Sequence, residues 1–141
     1  MTRRESREQA FALLFEKTFN DATVEELAQG ASLARDVSAD GFTLQLARGA
    51  EQHLDELDAR ITAYARGWSR ERISRVALSV MRLAIYEMLY EPDIPSSVSI
   101  NEAVELAKKY GGEEDAAFIN GILGSISRQD SAVLPDPAKP V

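Results

Sequence analysis

The chain has 141 residues, a net charge of −7, 45% apolar and 28% charged residues, and no cysteine. This is the composition of one globular domain with a real core, and it excludes a disulfide framework and any cysteine-ligated zinc site. No apolar run approaches the ~20 residues of a membrane span, and no apolar segment follows the charged N-terminus as in a signal peptide, so a cytoplasmic protein is expected.

Taken in chain order, the hydrophobic periodicity is helical almost throughout and predicts an all-α fold. A first helix runs from about Arg4 to Phe19, with Phe11, Leu14, Phe15 and Thr18 on one stripe. Thr23 followed by Glu26 has capping-box form and opens a second helix through about Arg35. Gly41 to about Tyr64 reads as one long amphipathic helix, its stripe being Phe42, Leu46, Ala50, Leu54, Leu57, Ile61 and Tyr64. Gly67-Trp68-Ser69 breaks the pattern, and a short turn over Glu71 to Ser74 leads into RVALSVMRLAIYEMLY. That segment, residues 75 to 90, is apolar nearly all round and should be the central buried helix. Pro92 and Pro95 form a loop. Ser99 with Glu102 has the form of a second capping box, opening a helix that carries Ile100, Ala103, Val104 and Ala107 and stops at Gly111-Gly112. The last helix begins with Glu113, Glu114 and Asp115, acids favoured by a helix N-terminus. Residues 129–141, with Pro135, Pro137 and Pro140, read as a disordered tail.

Asn120-Gly121 between apolar residues is a strong hairpin signal. The flanks do not alternate, however, while Asp115, Ile119, Ile122, Leu123 and Ile126 share one helical face, so the segment is predicted helical. Gly121 then costs about 1 kcal/mol relative to alanine. It lies off the apolar stripe, on the same flank as Phe118. Two readings stay open: close approach by another helix or a ligand, or looser packing with Phe118 filling a gap.

Catalysis finds no support. His53 has no nucleophile placed by a recognisable motif, and the acids lack metal-ligand spacing. Arg82 and Glu87, charges on the most apolar helix, are expected to pair with each other or with helix ends. Basic residues gather at Arg3, Arg4 and Arg7, at Arg66, Arg70, Arg72 and Arg75, and at Lys108 and Lys109. The first three fall on the same side of their helix as Phe11, Leu14 and Phe15. Cations there oppose the helix macrodipole, so they are either a solvated end or a site for an external anion such as phosphate.

Four stretches, in order and at these distances, carry a resemblance: RRESREQAFALLFE, VMRLAIYEM, IPSSVSINEAVELAKKYG and FINGIL. Together they resemble the NusB family of bacterial transcription antitermination factors, nearly the whole chain up to Arg128 being covered. The resemblance implies two small antiparallel helical bundles packed into one globular domain of residues 1–128. The first bundle covers about 1–66 and the second about 67–128. It implies no catalysis and no cofactor. The implied role is binding of the boxA RNA of ribosomal RNA transcripts together with NusE, a small-subunit ribosomal protein. NusA, NusG and RNA polymerase complete the antitermination complex.

Carried over by motif, the RNA-binding residues are Arg3, Arg4, Arg7, Glu114 and Phe118, with Asn120 as a polar neighbour contacting base or ribose. Phe15 and Ala77 fall at the NusE interface. Phe15 keeps the ring of the tyrosine common there without its hydroxyl, and Ala77 replaces the usual acid. These departures, with the acidic net charge, support an alternative, a helical interaction module that binds NusE without RNA affinity of its own. Some members self-associate, so a homodimer also falls within the resemblance. NusB-like domains also occur fused to RNA methyltransferases. This chain ends soon after the helical domain, and no methyl transfer is expected.

Overall fold

The structure, a computed structural model, describes residues 2–35 and 41–137, with backbone alone for 31–35 and 70. Seven α-helices and one 3₁₀ turn account for the regular structure among these residues. Helix α1 spans Arg3–Lys17, α2 Val24–Arg35, α3 Gly41–Gln52, α4 Leu54–Tyr64, α5 Arg75–Tyr90, α6 Ser96–Tyr110 and α7 Glu113–Gln129, with the 3₁₀ turn at Arg70–Arg72. The all-α expectation holds.

Helix α1 opens on a capping box: the Thr2 Oγ1 accepts from Glu5 N at 3.1 Å, and Glu5 Oε1 accepts from Thr2 N at 3.4 Å. The spacing Thr2-x-x-Glu5 is the sequence signature of this box. The expected box at the head of α2 forms, with Glu26 N donating to Thr23 Oγ1 at 3.1 Å.

Helix α5 is the axis of the fold. It is buried from Ala77 to Leu89 and packs against α1, α3, α4, α6 and α7. Its N-cap Ser74 accepts from Ala77 N, and the same hydroxyl donates to Asp115 Oδ2 at 2.9 Å, tying the start of α5 to α7. One hydrophobic cluster runs through the molecule, from Leu14, Leu46 and Leu57 through Met81 and Ile85 to Ile119, Leu123 and Ile126. Residue 66, where the resemblance would set the bundle boundary, lies between α4 and the 3₁₀ turn.

Three expectations are corrected. The single helix over Gly41 to Tyr64 is two helices, broken at His53 (φ −119°, ψ 21°). The stripe continues across the break, so periodicity alone could not reveal it. At that break His53 stacks on Tyr90 with ring centroids 4.3 Å apart. Helix α6 begins a turn earlier than expected, after Pro95, because Ser99 uses its hydroxyl on the Glu87 carboxylate at 3.0 Å rather than as a cap. The tail is docked as far as Leu134 rather than disordered there: Leu134 N donates to Met88 O at 3.0 Å, Arg60 bonds Asp130 at 2.9 Å, and Val133 packs on the core. Residues 138–141 of that tail lie outside the described residues.

The stop before α7 is as expected. Gly112 has φ 110°, a left-handed conformation that glycine adopts at no steric cost.

Candidate nucleic-acid interface

The three arginines of α1 meet three different fates. Arg3 lies exposed with its guanidinium 3.8 Å from the centre of the Phe42 ring. Arg4 reaches α6, its Nε and one terminal nitrogen bonding Glu102 at 3.1 and 3.0 Å, while 70% of its side chain stays in solvent. Arg7 is 5% exposed. Its Nε bonds both oxygens of Glu87 at 3.0 Å. Neither sequence-level reading, a solvated end or an end awaiting an anion, describes this pattern. Each guanidinium has an intramolecular partner, and only Arg3 and Arg4 face water.

Arg7 is therefore corrected from a direct phosphate contact to a structural ion pair. With Ser99 as a third member, the Arg7–Glu87 pair joins α1, α5 and α6. Burial pushes the Glu87 carboxyl upward, and the Arg7 and Ser99 hydrogen bonds pull against that push. Arg82 and Glu87 do not pair with each other. Arg82 forks onto Asp58 of α4 with two bonds of 2.8 Å.

Further along α1, Glu8 accepts from Lys109 Nζ at 2.7 Å and from the Tyr110 hydroxyl. Those two bonds, the lysine first, hold the Glu8 carboxyl below its ordinary range. Phe11 packs on Tyr110 with ring centroids 5.1 Å apart. Long side chains thus bridge α1 to α6, at Glu102 and again at Lys109 and Tyr110.

At the C-terminal end of α1 the rings continue outward. Phe15 touches Phe11 and Phe19, the latter edge-on at 5.2 Å, and Phe19 is 61% exposed. The Arg75 guanidinium sits 4.2 Å from the Phe19 ring centre and donates to Thr18 O at 2.8 Å. Beside this patch opens a cleft of about 650 Å³ lined by Lys17, Asp21, Glu71, Arg75 and Arg82 among others. Ala77, two residues beyond Arg75, is 1% exposed and presents no side-chain surface. Phe19 is the exposed group here that sequence reasoning missed, one turn beyond Phe15 on the same stripe, and Arg75, noted there only as one of a basic cluster, lies against it.

On α7, Glu114 and Asn120 are exposed and Phe118 is half-buried. The Phe118 ring packs against Trp68, centroids 5.3 Å apart, rather than against an arginine of α1. A Cβ built on Gly121 would meet nothing within 4 Å. No helix approaches there, so the bare backbone beside Phe118 is open surface.

Among the described residues no group of three or more His, Asp or Glu is placed to hold a metal ion, and no helix is long and apolar enough to cross a membrane. A family model described as NusB matches residues 4–128. The chain belongs to the NusB family.

The transcription antitermination protein NusB of Clostridium botulinum (strain Loch Maree / Type A3) is 41% identical, over 89% of this chain and 99% of that protein. Among solved structures, T. maritima NusB superposes with a TM-score of 0.81 at 35% identity, covering 92% of each chain. A chain from a crystal structure of the antitermination factors NusB and NusE in complex with dsRNA gives a TM-score of 0.80. At 23% identity, with 89% of this chain and 96% of that one covered, it shows the shared fold alone.

Proposed function

We propose that this NusB-family protein is an antitermination factor that binds single-stranded boxA RNA together with NusE. On this reading NusA, NusG and RNA polymerase complete the complex on ribosomal RNA transcripts. Family membership over residues 4–128 is the observation that carries the reading. The local chemistry agrees with it. Arg3 and Arg4 keep solvent-exposed guanidiniums at one end of α1 in a chain whose net charge of −7 gives no general affinity for polyanions. A guanidinium that shares a carboxylate or a ring can exchange that partner for a phosphate, which it grips through the same planar fork. Phe118, Asn120 and Glu114 supply the base- and ribose-contacting side of the site on α7.

In this reading the NusE face is the opposite end of α1, around Phe15, Phe19 and Arg75, where an aromatic patch stands in solvent beside a cleft. Ala77 lies beneath that face and contributes packing only.

A gel shift of labelled boxA RNA by the purified protein, with and without NusE, tests the proposal. A shift that tightens when NusE is added supports it; a NusE complex that leaves the RNA free overturns it. The second outcome would favour an interaction module without RNA affinity, a reading supported by the intramolecular partners of Arg3, Arg4 and Arg7. Within the RNA-binding reading, Arg4→Ala lowers the slope of log affinity against log salt by about 0.7, the value of one phosphate contact on a single strand. An unchanged slope in filter-binding titrations removes Arg4 from the phosphate contacts.

A further inference from the structure

The run Arg66, Gly67, Trp68, Arg70, Arg72 stands out in the sequence and has no part in the site described so far. Gly67 takes φ 80° and turns the chain out of α4, and Trp68 N returns a hydrogen bond to Ala65 O at 3.2 Å. The indole is 46% exposed. It is not loose: the Phe118 ring supports it at 5.3 Å, tilted by 57°. The Arg72 guanidinium lies 5.0 Å from the indole centre, and no carboxylate of the described residues lies within ion-pair distance of Arg72. At so exposed a site a cation–ring contact is a weak latch. Arg66 is exposed nearby in sequence, and the open backbone of Gly121 lies one turn beyond Phe118.

The other exposed rings are differently held. The Tyr90 and Tyr110 hydroxyls are bonded to Glu56 and Glu8, carboxylates that repel phosphate. Phe19 shares its arginine with the Thr18 carbonyl. Trp68 alone among these combines a braced ring with a cation that, among the described residues, only the ring retains. A flat face that stacks any base beside a guanidinium free to turn to the backbone is the recurrent means of gripping unpaired RNA.

We propose that Trp68, braced by Phe118 and gated by Arg72, is a base-stacking platform that extends the RNA site beyond Phe118. An unpaired base displaces Arg72 from the indole, and the released guanidinium takes the adjoining phosphate. This assignment rests on the RNA-binding reading above, and the test separates the two.

Trp68 is the single tryptophan of the chain, so its emission reports on this position. The protein and its NusE complex are titrated with single-stranded boxA RNA while the anisotropy of a labelled RNA is read on the same samples. The Trp68→Phe protein serves as the emission blank. Emission is expected to be quenched in step with the rise in anisotropy. Trp68→Ala should weaken binding about tenfold, Trp68→Phe less than about threefold, and Arg72→Ala a few-fold with a shallower salt dependence. Unchanged far-ultraviolet circular dichroism confirms that the variants fold. Anisotropy that rises with emission unmoved and Trp68→Ala affinity intact overturns the platform and leaves RNA binding standing. Emission that answers to NusE alone also overturns it, by giving the ring to the protein partner. No anisotropy change with or without NusE defeats the RNA-binding reading itself, and the platform with it.

Discussion

Arg7 and Arg4 are three residues apart in one basic run, yet one is a buried structural charge and the other a surface one. The difference lies in partners 80 and 98 residues away, Glu87 and Glu102, which no local pattern reveals. Removing one member of a buried pair strands the other without hydration. Arg7→Ala is therefore expected to cost about 3–5 kcal/mol of stability, read as the loss in a urea melt. A salt-dependent RNA defect with stability intact would contradict that assignment. Glycines separate in the same way. A Cβ at Gly49 would come within 2.4 Å of two ring carbons and the hydroxyl oxygen of Tyr86, whereas one at Gly121 meets open space. Gly49→Ala should lower the melting temperature. Gly121→Ala should add about 1 kcal/mol of helix stability in the same assay, and any loss of RNA affinity with it would mark close approach of the ligand to that backbone.

Periodicity carried the helices well where burial is continuous. It identified α5 as the central rod and resolved the Asn-Gly of α7 as helix, because both depend on a stripe facing one core. It failed at the joint of α3 and α4, where the stripe is preserved through a change of direction, and at the start of α6, where Ser99 serves a buried carboxylate rather than the helix end. The contact between α1 and α6 brings a pH dependence that α1 would lack alone. Glu8 titrates below its unfolded value, so its bonds to Lys109 and Tyr110 contribute stability that is complete above the ordinary carboxylate pKa. That contribution is lost as pH falls through the lower folded value. Glu8→Gln should thus be less stable than the parent near neutrality, by under about 1 kcal/mol for so exposed a pair, with the gap closing on acidification. A gap that stays constant from neutral to acidic pH in thermal melts would contradict this origin.

For the molecule as a whole, the motif order is legible enough to name the family, since the motifs mark the core helix α5 and three further helices, α1, α6 and α7, at set distances. What the side chains on their surfaces touch is not legible, and Ala77, which the resemblance sets at a partner face, is buried. The segment after α7 departs from what its prolines suggest. Composition suggested disorder, but a backbone bond to Met88, an ion pair to Arg60 and the apolar Val133 hold it. Truncation after Gln129 should consequently lower the denaturation midpoint, where removal of a free tail would leave it unchanged.

Helix α1 carries Arg3 near one end and Phe15 near the other, twelve residues along a rod that rises roughly 1.5 Å per residue, or about 18 Å in all. Held to α5 by the buried Arg7–Glu87 pair and to α6 by Lys109 and Tyr110, that rod resists shortening or bending to relay a signal between its tips. If a transcript and a protein sit at the two tips and strengthen each other, the communication has to pass through the guests themselves, touching across a fixed gap. The protein then behaves as a spacer that sets how far apart they begin.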